Sequence, residues 1–173
     1  MKPLGGKKLK DFLRQAERPP MGLVFVLQDV EDPVNVGAAF RIGDAVDVYE
    51  LVFTGSTPYP PNETIHGIGR GAHRRVPWRY EETAADEITA LRARGYTAFA
   101  LETTPAARPY HEVEYPDKVC LVVGNEHHGV TKRTLEACDT AIYIPMFGKM
   151  QSLNVHVALA VVAYHCLVGS SRA

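Results

Sequence analysis

Three short segments concentrate amide, acid, glycine and arginine side chains next to apolar runs. In open α/β sheets, ligands bind outside the carboxyl ends of strands, so such segments are where chemistry is expected. The first covers residues 28–41 and holds Asn35, Gly37 and Arg41. Asn35 and Gly37 fall at a helix start, where free backbone N–H groups favour an anion such as phosphate. Arg41 lies six residues after Asn35, so the two diverge by about 120° around the helix and flank a pocket without touching. Arg41 also sits among Phe40, Ile42 and Ala45, where a snorkelling or salt-bridged arginine is the plainer alternative. The second segment, residues 124–130, ends a strand at Gly124 and starts a helix near Gly129. Glycines there let backbone approach a ligand closely. Glu126 either binds that ligand or favours a helix N-terminus through the dipole. The third joins Ile144, Pro145 and Met146 through a loop to Gln151, Ser152, Leu153, Asn154 and Val155. Ser152 is expected to cap the last helix, with Asn154 and His156 in its first turn. The loop at residues 147–151 offers backbone groups to an adenine edge.

Known nucleotide motifs are missing. No GxxxxGK[ST] loop occurs, nor a GxGxxG after a strand. The nearest approach, Gly67-Ile68-Gly69-Arg70-Gly71, lies in a polar loop.

These segments need elements to hold them. Continuous apolar strands are expected at residues 23–27, 51–53, 97–101, 119–123 and 141–144, with a short one around 76–78. Helices are expected at 35–46, entered through Asp32-Pro33, at 84–94, stopped by Gly95, at 131–138, and from Ser152 onward. Residues 62–75 read as a loop. Residues 7–17 read as a short amphipathic helix. The alternation implies an α/β domain with a mostly parallel sheet flanked by helices. The last helix is apolar on nearly every side, which suits a buried position or a subunit interface.

The bulk numbers set limits. With 173 residues, 46% hydrophobic and 23% charged, the chain suits one globular domain. Its net charge of −1 gives no overall sign of a nucleic-acid binder. Three scattered cysteines argue for a reducing, cytoplasmic setting and against a disulfide framework or metal site. The apolar run at residues 153–168 is too short to span a bilayer, so no membrane partner is expected.

Taken together, the three segments resemble the SpoU/TrmH branch of the SPOUT RNA methyltransferases. The resemblance rests on Asn35, Gly37 and Arg41, on Gly124, Glu126 and Gly129, and on Ile144-Pro145-Met146 followed by Ser152-Leu153-Asn154-Val155. It covers roughly residues 21–168, leaving residues 1–20 as a basic N-terminal extension to a domain spanning 21–173. It implies an alpha-beta knot, with a deep C-terminal trefoil, and a homodimer. It also implies S-adenosylmethionine as cofactor, and transfer of its methyl group to a ribose 2′-hydroxyl of RNA, tRNA ahead of rRNA. The cofactor positions implied are Leu101, Thr103, Gly124, Asn125, Gly129, Ile144, Met146, Ser152 and Leu153. The catalytic positions implied are Arg41, Asn35, Glu126, Ser152 and Asn154, with Arg41 serving the other subunit's pocket. Arginine is a weak base, protonated up to pKa ~12 or higher. Arg41 therefore either acts with help from a substrate phosphate or only positions that phosphate and the hydroxyl.

RNA capture then falls to local charge. The candidate patches are Lys7, Lys8, Lys10 and Arg14, and a middle loop with Arg70, His73, Arg74, Arg75 and Arg79 beside Trp78 and Tyr80. A basic run is as readily a solvated face. Rival readings are a base methyltransferase of the same knotted class, a non-catalytic RNA-binding factor, and a small-molecule α/β enzyme.

Overall fold

The computed structural model describes residues 2–16 and 21–169, residue 169 by its backbone alone. Seven strands form one sheet: β1 (Gly22–Gln28), β2 (Glu50–Thr54), β3 (Trp78–Glu81), β4 (Thr97–Leu101), β5 (Arg108–Pro109), β6 (Lys118–Val123) and β7 (Thr140–Tyr143). The spatial order is β3-β2-β1-β6-β4-β7-β5, and every pairing is parallel. β1 and β6 lie at the centre, with Phe25 opposite Leu51 on one side and Leu121 on the other. Their unbroken apolar runs follow from this position, because both faces of a central strand are covered.

Six helices accompany the sheet: α1 (Gly6–Leu13), α2 (Pro33–Val46), α3 (Glu63–Gly69), α4 (Ala84–Ala93), α5 (Lys132–Ala137) and α6 (Val155–Gly169). One face of the sheet buries Leu23, Phe25, Leu27 and Leu121 with Phe40 of α2 and Leu159, Val162 and Cys166 of α6. The other face buries Val24, Val26 and Val122 with Ile88 and Leu91 of α4. Each such fully buried Leu, Val or Phe contributes roughly 1.5–3 kcal/mol. The helix hydrophobic all round, α6, owes its composition to this burial on one side. Its other side leaves Val157, Tyr164 and Val168 exposed.

Local chemistry sets the element ends. Asp32 caps α2 by accepting from the Val34 N–H, and Pro33 opens the helix. Residues 62–75, expected as loop, form α3 and a 3-10 turn at Ala72–Arg74. Asn62 caps α3 by accepting from the Ile65 N–H, and Ile65 is fully buried. Gly67 and Gly69 obscured that helix in the sequence. The strand expected at 76–78 begins at Trp78, since Pro77 has no N–H for the ladder. Edge strand β5 is two residues long and carries no apolar run. Ser152 does not cap α6; Asn154 does, accepting from the His156 N–H at 3.1 Å while its carbonyl accepts from the Ala158 N–H. Helix α1 buries no residue and ends at Leu13. Of the rest of the expected 7–17 helix, residues 14–16 form a turn and a bend, and residue 17 lies outside the described residues.

Candidate active site

A cleft of about 580 Å³ opens where β4, β6 and β7 end. The second and third sequence segments meet there, and the first reaches it only from behind, through Asn35 and Glu126. Leu101, Thr103, Gly124, Asn125, Glu126, Gly129, Ile144, Met146, Ser152, Leu153 and Asn154 all line it, and His127 and His128 stand at its rim. Arg41 does not line it. Asn35 lies behind it, buried and joined to it through Glu126.

The loop after β6 is shaped by contacts that exclude side chains. A Cβ on Gly124 would lie 2.3 Å from the Gly129 carbonyl carbon, so the two backbones touch. Gly129 has φ +67°, and a Cβ there would meet the Glu102 Oε2 at 2.1 Å. Glu102 is the fastener of this end of the sheet. Its carboxylate accepts from the Thr103 and Val130 N–H groups at 2.9 Å each, and its own N–H donates to the Ile142 carbonyl. Asn125 closes the turn. Its Oδ1 accepts from the His127 and His128 N–H groups, and its Nδ2 donates to the Asp29 carbonyl at 2.8 Å and to Glu31 at 3.0 Å. Gln28 completes the tie by accepting from the Thr131 N–H.

Glu126 is the electrostatic centre. It accepts from the Glu31 N–H at 3.0 Å, the Asp32 N–H at 3.2 Å and Asn35 Nδ2 at 2.6 Å. Burial pushes its carboxyl up, but these donors outweigh burial and hold it below its ordinary range. The anion expected at the start of α2 is therefore supplied from inside the chain, by Glu126. Gly37 is buried along the helix rather than facing a ligand.

Asn35 in turn faces His156, whose Nδ1 lies 2.7 Å from Asn35 Oδ1. Asn35 Nδ2 is committed to Glu126, so its Oδ1 is the acceptor and His156 Nδ1 carries the proton. Burial holds the His156 imidazole below its ordinary range, against an opposing pull from Asp32. Neutral His156 therefore keeps an Nε2 lone pair. Sequence reasoning gave no role to His156, Glu102, Gln28 or Asp29. Apart from position next to a motif, nothing in the sequence singled them out.

Outside the cleft, Arg41 is exposed on α2 and its guanidinium meets no carboxylate among the described residues. Lys7, Lys8, Lys10 and Arg14 are exposed on α1, where Arg14 pairs with Asp11 at 3.7 Å. Arg70 and Arg74 are exposed as well. Two arginines of the middle patch are not free. Arg75 is held by both oxygens of Asp44, at 2.9 and 2.8 Å. Arg79 lies among Glu50, Glu81 and Glu87 beside α4, and its role is to neutralise those carboxylates, not to face RNA.

A parallel α/β sheet with a glycine-walled, amide-lined cleft at its carboxyl edge defines a protein that binds a small, partly apolar ligand there. Residues 22–164 match the SpoU rRNA Methylase family, and the chain belongs to that family. It is 34% identical over 158 residues to the tRNA (guanosine(18)-2′-O)-methyltransferase of Thermus thermophilus, covering 91% of this chain and 79% of that protein. It is 31% identical over 154 residues to the 23S rRNA (guanosine-2′-O-)-methyltransferase RlmB of Neisseria meningitidis, covering 89% of this chain and 60% of that protein. The A. aeolicus TrmH/SpoU tRNA modifying enzyme superposes with a TM-score of 0.80 at 29% identity, over 95% of this chain and 83% of that one.

Proposed function

We propose that this chain transfers a methyl group from S-adenosylmethionine to a ribose 2′-hydroxyl of RNA, tRNA ahead of rRNA, as a cytoplasmic homodimer with the C-terminal trefoil of its family. The observation that carries the reading is the convergence of the second and third motifs on one cleft, with Asn35 of the first tied to it from behind through Glu126.

The residues present fit the cofactor. The contact of Gly124 with Gly129 keeps the cleft floor free of side chains, and Leu101, Ile144, Met146 and Leu153 give it apolar walls. Backbone groups of residues 144–154 would hold an adenine edge. S-adenosylmethionine supplies an activated methyl group. The chain's own residues must present the hydroxyl and take up its proton. Glu126, held ionised by three donors, fixes Asn35 and the entrance of α2. Arg41, permanently charged and without a carboxylate partner among the described residues, suits a substrate phosphate better than a proton. Ser152 and Asn154 place a hydroxyl and an amide at the cleft rim.

Support for the dimer is the apolar outer face of α6, where Val157, Tyr164 and Val168 are exposed together with Val34 of α2. The preference for tRNA leans on similarity, 34% identity to the Thermus tRNA enzyme against 31% to the Neisseria rRNA enzyme. Among the described residues no helix is long and apolar enough to cross a membrane.

The test is methylation of unfractionated tRNA and rRNA with labelled cofactor, then nuclease digestion and mass analysis of the nucleosides. Label on a ribose of tRNA is expected. Label on a base would overturn the reading.

A further inference from the structure

An aromatic shelf stands at the other end of the same sheet edge. The Tyr59 ring packs tilted against Tyr80, 5.1 Å away, and against Trp78, 6.0 Å away. Trp78 is rooted in the core, 5.9 Å from Phe53 and 6.5 Å from Phe40. Tyr59 and Tyr80 are 44% and 40% exposed. Isolated exposed rings need no explanation, but a contiguous stacked group on a rigid base does.

Beside the shelf lies a depression of about 390 Å³, walled by Pro60, Pro61, His66, His73 and Arg74, with Glu63 the carboxylate at its rim. His73 Nδ1 is buried there without a hydrogen-bond partner. Arg70 and Arg74 leave their guanidinium groups in solvent. Polar links run from the cleft to this place. Asn125 donates to the Asp29 carbonyl, Asp29 accepts from the Ser56 N–H, and Tyr80 donates to the Gly55 carbonyl. The shelf is on β3, three strands from β6, which is about 15 Å at ordinary strand spacing.

We infer that Tyr59 and Tyr80 form a stacking platform for an unpaired base of the substrate RNA, a few nucleotides from the reacting ribose, with Arg70 and Arg74 holding its phosphates. Stacking on aromatic rings tolerates any base, and a neighbouring cation adds affinity without reading sequence. The near-zero net charge of the chain then matters little, because capture depends on stacking and two local cations. The inference rests on the RNA methyltransferase reading above.

Trp78 is the single tryptophan of the chain and lies against Tyr59, so it reports on the shelf directly. The experiment titrates the full chain with unfractionated tRNA and follows Trp78 emission, then measures methyl transfer by the Tyr59→Leu, Tyr59→Phe and Arg74→Gln variants. RNA should change the emission. Tyr59→Leu should raise KM for tRNA roughly five- to a hundredfold, the range for losing one stacked base. Its kcat at saturating RNA and its S-adenosylmethionine affinity should stay within twofold of wild type. Tyr59→Phe, which keeps the ring, should behave as wild type, and Arg74→Gln should raise KM and make its dependence on salt shallower than that of wild type. An unchanged KM for a Tyr59→Leu protein that still binds cofactor overturns the platform. So does a Trp78 signal that follows protein concentration instead of RNA, which would mean a second copy covers the shelf. Absence of methyl transfer by wild type to any RNA would instead remove the activity reading.

Discussion

Two loops face each other across the cleft, and they are built in opposite ways. The loop at residues 124–130 is knitted: Asn125 and Gly129 exchange backbone hydrogen bonds, and Glu102, Glu31 and Asp29 accept what remains. The loop at residues 146–153 makes no hydrogen bond among the described residues, and it exposes Phe147 almost fully and Met150 at 72%. The first loop is organised before any ligand arrives. The second has donors, acceptors and apolar surface whose partners come from outside, a ligand or a second subunit. A rigid floor with an unsatisfied wall lowers the ordering cost of binding on one side only.

The knitted side should break most severely. Gly124→Ala forces a Cβ into the Gly129 backbone, and overpacking of this kind costs about 1–3 kcal/mol. For a chain of this size that is a fall in Tm of roughly 3–10 °C by calorimetry. Cofactor affinity should fall with it, because the floor must move. Wild-type Tm and affinity in Gly124→Ala would show that the floor is not rigid.

The open side should break without loss of fold. Arg41→Ala is expected to lower kcat on the order of 10²-fold, the usual effect of removing one positioned donor. Its Tm and S-adenosylmethionine affinity should match wild type, since Arg41 is exposed and meets no carboxylate among the described residues. Turnover near wild type would make Arg41 a surface residue and remove it from the mechanism. Hydrogen exchange sharpens the same contrast. S-adenosylmethionine should slow exchange about tenfold or more across residues 146–153, and leave residues 125–130 nearly unchanged because their N–H groups are already bonded.

Much of the knitted side was legible in the sequence, and the reason is physical. Glycines in contact, an amide in a turn and an acid at a helix entrance tolerate few replacements, so they leave a short motif. Strands β1 and β6 were equally plain, because two-sided burial writes a continuous apolar run. Helix α3 was not, since a helix of two turns with two glycines carries no periodicity longer than its own noise. Nor was the pairing of Arg75 with Asp44, which joins residues 31 apart. The linkage of His156 to Asn35 spans 121 positions, and no spacing rule reaches across that distance. The second and third motifs named residues at the cleft surface and the first named Asn35 behind it, but Glu102, Gln28 and His156, which help hold them, went unnamed.

The smallest expected effect concerns that hidden support. His156 is neutral at pH 7 because burial disfavours its charged form, with Asp32 pulling the other way and Glu126 felt only through Asn35. A histidine whose folded pKa is lowered contributes stability that is present above its ordinary value near 6.5 and is lost as pH falls through the lowered value. Glu126 behaves in the same sense further down: its contribution is present above its ordinary value near 4.5 and is lost as pH falls below that. Protonating His156 leaves the Nδ1–H bond to Asn35 intact but removes the Nε2 lone pair and puts a cation beside the α2 entrance. Wild-type kcat should therefore fall a few-fold as pH drops below 6.5 through the lowered His156 value. His156→Gln offers an uncharged donor to Asn35 at every pH. It should have a modestly lower kcat at pH 7 and a flat profile over the same range. An acid limb that survives in His156→Gln would assign the titration to another group and leave His156 as packing alone.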